Sequence, residues 1–180
     1  SGDIAIDDIQ FHNCDFKDVI TPCQETFPKC NDQPITRPTL GPKNGACDFE
    51  HGTCHWNNSA VSDMPWYLRE GSTHSQHTGP AVDHTKGTSE GYYMHIEASW
   101  YDKESVAILE SPYMLPTSSC QMTLYYHMKG EHCGSLLVYI NSGDSVQLVF
   151  NRTGPQGDNW IRGIIRLKSD YGFRVHITAS

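Results

Sequence analysis

The sequence is short of positive charge: 13 Lys and Arg stand against 21 Asp and Glu, a net charge of −8 over 180 residues. Phosphate backbones need a basic surface, so nucleic acid is excluded as a partner. No apolar run approaches the ~20 residues that cross a bilayer, and no secretory leader is present. A membrane segment or leader, if there is one, lies outside these residues. The runs of Ala, Leu, Glu and Lys that build long helices are missing. So are the Walker and His-Glu-x-x-His motifs, and no Cys-x2-Cys pair offers a zinc site. No nucleophile elbow or oxyanion-hole motif supports a Ser/His/Asp triad. The expectation is a protein that is not an enzyme.

What is abundant points elsewhere. Nine Tyr, six Phe and four Trp accompany 15 Gly and 10 Pro. Aromatic strands broken by frequent turns make an all-β domain. Seven cysteines fall at 14, 23, 30, 47, 54, 120 and 133. Cys23/Cys30 and Cys47/Cys54 share one spacing, which suits small disulfide loops. Two sequons, Asn57-Asn58-Ser59 and Asn151-Arg152-Thr153, mark Asn57 and Asn151 as glycosylation candidates. Cysteines and sequons together imply a secreted protein or the extracellular part of a membrane protein.

Residues 1–13 form a strand with Ile4, Ile6, Ile9 and Phe11 as apolar positions, closed by Cys14. It reads as the end of a domain set at its front. Residues 15–46 are a proline- and cysteine-bearing linker. From Cys47, alternation places Asp48 and Glu50 on one face of a strand and Phe49 on the other. Further strands follow at 91–98, 104–112, 120–128, 134–140, 146–150, 160–167 and 173–177, those at 120–128 and 134–140 forming a hairpin. The architecture is a jelly-roll-like antiparallel β-sandwich, preceded by a proline-rich linker and a detached closing strand.

Cys47-Asp-Phe-Glu-His-Gly-Thr-Cys54-His-Trp56 resembles the opening of MAM domains, the modules of meprins, neuropilins and receptor tyrosine phosphatases. Asp63-Met-Pro-Trp66, Thr78-Gly-Pro-Ala-Val-Asp-His-Thr85, Gly91-Tyr-Tyr-Met94, Leu109-Glu-Ser-Pro112, Leu124 to Gly130, Trp160 and Phe173 to Ile177 fit in order. The resemblance covers 47–180. It departs at the end: the family's closing Gly-Asp-Ile-Ala-Ile-Asp-Asp-Ile segment stands here at Gly2 to Ile9. One reading makes residues 1–14 the end of a preceding repeat in a tandem array. The other has them fold back, or come from a neighbouring chain, to fill the vacant strand position and bond Cys14 to Cys120, the cysteine that resembles the family's partner of the closing one. Cys133 is then left over as a buried free thiol.

The resemblance implies a structural calcium near Asp48, Glu50, Asp83 and Asp7 or Asp8, because converging carboxylates need a cation and oxygen ligands suit calcium. The competing reading makes them solvated groups or caps of turn amides. The histidine pairs His74/His77 and His127/His132 lack metal geometry. Trp56, Trp66 and Trp160 sit at family core positions, whereas Trp100 and Tyr101 are candidates for an exposed contact. The function implied is extracellular adhesion or assembly, as one unit of a tandem or filamentous array. Its partners would be other MAM domains, other extracellular proteins, or the same protein through strand complementation. The alternatives are a carbohydrate-binding jelly roll that takes glycans through Trp100, and an auxiliary domain of a secreted protease.

Overall fold

The computed structural model describes residues 2–16, 45–75, 77–97, 101 and 104–180. Ten strands appear, and no helix is found among the described residues: β1 Gly2–His12, β2 Asn57–Asn58, β3 Tyr67–Glu70, β4 Tyr92–Ile96, β5 Ala107–Glu110, β6 Thr117–Gly130, β7 Ser135–Asn141, β8 Val146–Thr153, β9 Ile161–Ser169 and β10 Arg174–Ala179. They form two five-stranded antiparallel sheets with orders β3-β4-β1-β6-β9 and β2-β5-β10-β7-β8. The fold is an all-β sandwich, as the strand pattern predicts.

Period-two alternation builds the core. β7 buries Leu136, Val138 and Ile140, while β10 buries Val175, Ile177 and Ala179. Each of these strands turns one face to the opposite sheet. Trp56 and Trp66 are buried with Phe49 and Met64 at the sandwich's end, and Trp56 Nε1 donates to the Gly45 carbonyl at 2.8 Å.

β1 lies in the middle of the first sheet. Ile4 stands opposite Ile96 of β4 on one side and Met128 of β6 on the other. Residues 2–12 therefore occupy this chain's own sheet, between strands that would otherwise each expose an edge. Ile4, Ile6 and Ile9 are fully buried. At about 1.5–3 kcal/mol each they contribute an upper estimate of roughly 5–9 kcal/mol. The register shifts between Asp7 and Gln10, where Asp8 adopts φ 47°. This bulge lets Ile9 exchange two backbone hydrogen bonds of 2.8 Å with Cys47.

Two elements differ from the sequence expectation. The strands at 120–128 and 134–140 are not a hairpin. β6 is flanked by β1 and β9, so its edges are filled, and the chain crosses at 131–134 to pair β7 with β10 and β8 in the other sheet. Residues 47–50 are not a strand either. Cys47 makes a single bridge to Ile9, and the chain turns at once with Phe49 at φ 58°. Burial of the Phe49 ring produces the apparent alternation. The short strands β2 and β3 carry no alternating pattern in the sequence, because Asn57-Asn58 and Tyr67-Leu-Arg-Glu70 are largely exposed and bury no face.

Candidate functional site

Two disulfides are formed, one tying the end of β1 to β6 and one closing the loop 47–54. Cys14 bonds Cys120 with Cα atoms 4.7 Å apart, and Cys47 bonds Cys54 at 5.6 Å. Cys133 is a buried free thiol, pushed up to about 11 by burial. Cys23 and Cys30 lie outside the described residues, as does most of the linker.

The bulge in β1 aims Asp7 and Asp8 at the loop 81–91. Asp7 is buried, and its Oδ2 accepts from the amides of His84 at 2.9 Å and Thr85 at 3.2 Å. Its Oδ1 accepts from the Asp8 amide at 2.8 Å. Asp8 accepts the Thr85 hydroxyl at 2.9 Å and pairs with His84 Nδ1. The His84 ring stacks on Tyr125 with centroids 3.4 Å apart. Asp83 folds its own loop: Oδ2 accepts from the Lys86 amide at 2.6 Å and Oδ1 from Thr88 at 3.0 Å. A Cβ at Gly91 would stand 1.9 Å from the Asp83 carboxyl carbon, so only glycine fits there. Glu50 Oε1 accepts from the Tyr92 amide at 2.9 Å while Oε2 pairs with Lys86 Nζ. Asp48 is exposed and caps the Glu50 amide at 3.2 Å. Beside the cluster runs an open cleft of about 700 Å³, lined among others by Asp8, Asp48, His51 and Thr85.

In this geometry Asp7, Asp48, Glu50 and Asp83 each hold a backbone amide, whereas Asp8 holds the Thr85 hydroxyl and His84. Such bonds stabilise the charged form. Burial works the other way and raises Asp7 to about 7. The donors are the hard oxygens calcium takes, yet as arranged they are engaged by amides, and Lys86 carries the positive charge at Glu50. Among the described residues no three or more His, Cys, Asp or Glu side chains converge as a metal site.

Sequence reasoning missed a second buried polar layer. Asp3 is fully buried, and Oδ2 accepts the Thr78 hydroxyl at 2.7 Å. Glu97 is also buried and accepts from Ser75 Oγ at 3.2 Å. His95, opposite Ala5 of β1, is 4% exposed, with no partner on either ring nitrogen among the described residues. Alternation carries the signal, since Asp3, Ala5 and Asp7 share the face of β1 that loop 71–91 covers. β1 thus has both faces buried along most of its length.

The remaining candidates are scattered. Asn57 lies on β2 and Asn151 on β8, both exposed. Trp100 is outside the described residues; Tyr101 is half-buried, its hydroxyl 3.4 Å from that of Tyr67. His74 meets Arg69, His127 is buried against Asp158, and His77 and His132 are exposed. Trp160 is half-buried and donates to the Val82 carbonyl at 2.9 Å. Gly87-Thr-Ser-Glu-Gly91 has the spacing Gly-x-Ser-x-Gly. It runs through a turn into β4, not from a strand into a helix, so it makes no nucleophile elbow.

Comparison with known proteins agrees with this frame. The family model for the MAM domain, meprin/A5/mu, matches residues 47–180. Human MAM domain-containing protein 2 is 34% identical over 129 residues, which is 70% of this chain and 18% of that protein. Mouse Neuropilin-1 is 35% identical over 129 residues, 67% of this chain and 13% of that protein. Thyroid hormone-induced protein B of Xenopus laevis is 29% identical over 140 residues, 76% of this chain and 20% of that protein. The chain therefore spans a fifth or less of the length of these relatives. Sandwich topology, both described disulfides, the buried tryptophans and the family match lead to one conclusion: this chain belongs to the MAM domain family.

Proposed function

We propose that this chain is an extracellular, non-catalytic adhesion and assembly module. One observation carries the reading: a strand from the front of the chain fills the central position of the first sheet. It is joined to the rest through the long segment 15–46 and locked by Cys14–Cys120. Each unit therefore has a slot for a closing strand and a strand to offer. Donation between copies, or between successive repeats, builds an array from the contacts that close a single unit. The two disulfides fit an oxidising, extracellular location.

The test mixes light and heavy isotope-labelled chains under disulfide exchange and maps non-reduced peptides. Cys14–Cys120 peptides of mixed label, together with oligomers in light scattering, are expected. Bonds of one label only, in a protein monomeric at every concentration, would overturn the array.

A structural calcium held by Asp7, Asp8, Asp48, Glu50 and Asp83 is a separate proposal. The oxygen-only donor set and the burial of Asp7 support it. Lys86 would have to leave Glu50. A melting temperature that calcium raises, and a chelator returns, is expected in wild type and in Lys86→Met. Unchanged melting with no calorimetric uptake refutes the site.

A further inference from the structure

We infer that an N-linked glycan on Asn151 guards the β8 edge of the second sheet and keeps this module from pairing with its own copies there. The inference rests on the extracellular placement proposed above, and on no particular partner.

A sheet edge offers unpaired N–H and C=O groups to any passing strand, and proteins blunt such edges with charge. The first sheet follows that rule. Its edge strand β3 carries Arg69 and Glu70, and β9 exposes Arg162, Arg166 and Lys168. The second sheet does not. Its edge strands β2 and β8 hold a single charged residue, Arg152. That charge is engaged within the module, although the residue is exposed: Nε donates to the Tyr126 hydroxyl at 2.9 Å, and the guanidinium lies 4.4 Å over the Phe150 ring. β2 is only two residues, both asparagine, and is too short to template another strand. β8 is different: it is eight residues long, with Val146 62% and Leu148 47% exposed. An exposed, long, apolar edge of this kind is an aggregation site.

Each of these two strands, and no other described strand, contains a sequon asparagine. The Asn151 side chain is free to react. Asn151 Oδ1 accepts the Thr153 hydroxyl at 3.2 Å, which leaves Nδ2 without a partner among the described residues. In the transfer, the amide nitrogen bonds to the anomeric carbon of a pyrophosphate-linked oligosaccharide. The lipid pyrophosphate departs, and one N–H proton passes to a base. A second strand would have to approach to about 4.8 Å. A branched oligosaccharide rooted in the edge strand fills that space.

The whole chain, secreted from glycosylating cells, supplies the test. Peptide mass mapping is expected to find Asn151 occupied. Trimming the glycans of the folded protein to a single sugar with an endoglycosidase should at least double the weight-average mass in sedimentation. The substitution N151Q should do the same. Leu148→Lys should abolish that rise, because it restores a charged edge without touching Cys14–Cys120. An unoccupied Asn151, an unchanged mass after trimming, or a rise that L148K leaves intact would each overturn the inference. Mixed-label Cys14–Cys120 peptides report strand donation separately, so the two proposals fail independently.

Discussion

At the scale of single residues, the first sheet is tuned by groups that have no room to change. Gly91 is the sharpest case, because the Asp83 carboxyl already occupies the place of a side chain. Gly91→Ala should displace the loop 83–88 from its carboxylate and lower stability by about 1–3 kcal/mol, read as a lower urea midpoint. His95 sets a pH dependence. Burial lowers it to about 4 from an ordinary 6.5, with Arg69 and His74 pushing the same way and Glu97 opposing. Between those values the unfolded chain takes up a proton that the folded chain refuses. The stability tied to neutral His95 is intact above pH 6.5 and lost as pH falls toward 4, on the order of 3 kcal/mol. Asp7, raised to about 7, contributes a slope of opposite sign over the same range, so the His95 contribution is read as a difference: urea titrations should show stability falling less with falling pH in His95→Leu than in wild type. An unchanged slope would place the acid sensitivity elsewhere.

Among the elements, β1 decides whether the module closes. It pairs on both sides and contributes three fully buried isoleucines. That burial is comparable to the net stability of an ordinary domain, about 5–15 kcal/mol. Ile6→Ala should cost about 2–5 kcal/mol in chemical denaturation. Residues 47–180 without β1 would leave β4 and β6 unpaired along their inner edges. That segment should lack a sharp, reversible thermal transition in calorimetry; finding one would show that β1 adds little.

For the whole molecule, Cys14–Cys120 ties β1 to β6 across a sequence separation of 106 residues. Closing so long a loop removes unfolded-state entropy, and replacing both cysteines by serine should cost about 2–5 kcal/mol. A fall in melting temperature that equals the effect of mild reductant on wild type would check it, since the separation of 7 between Cys47 and Cys54 closes a far smaller loop. Assembly belongs to this scale too. The closing strand sits at one end of the chain and its slot in the middle of the sheet, so folding and association draw on the same contacts.

Much of this was legible along the chain. Alternating apolar residues specify strands such as β7 and β10, because a strand's two faces are set by its own residues. The spacing Cys47 to Cys54 specifies a small loop, and the motifs from Cys47 onward carry the family. Asp48 and Glu50 mark the limit. Their alternation with Phe49 imitates a strand, but a turn was formed, and Glu50 found an amide on β4 42 residues away. The crossing between β6 and β7 was equally hidden, since β1 claims the edge a hairpin would have used. Periodicity by itself determined which faces are apolar. Only the tertiary structure decided which strands are neighbours, and so which amide each buried carboxylate meets, because pairing depends on what remote parts of the chain already occupy.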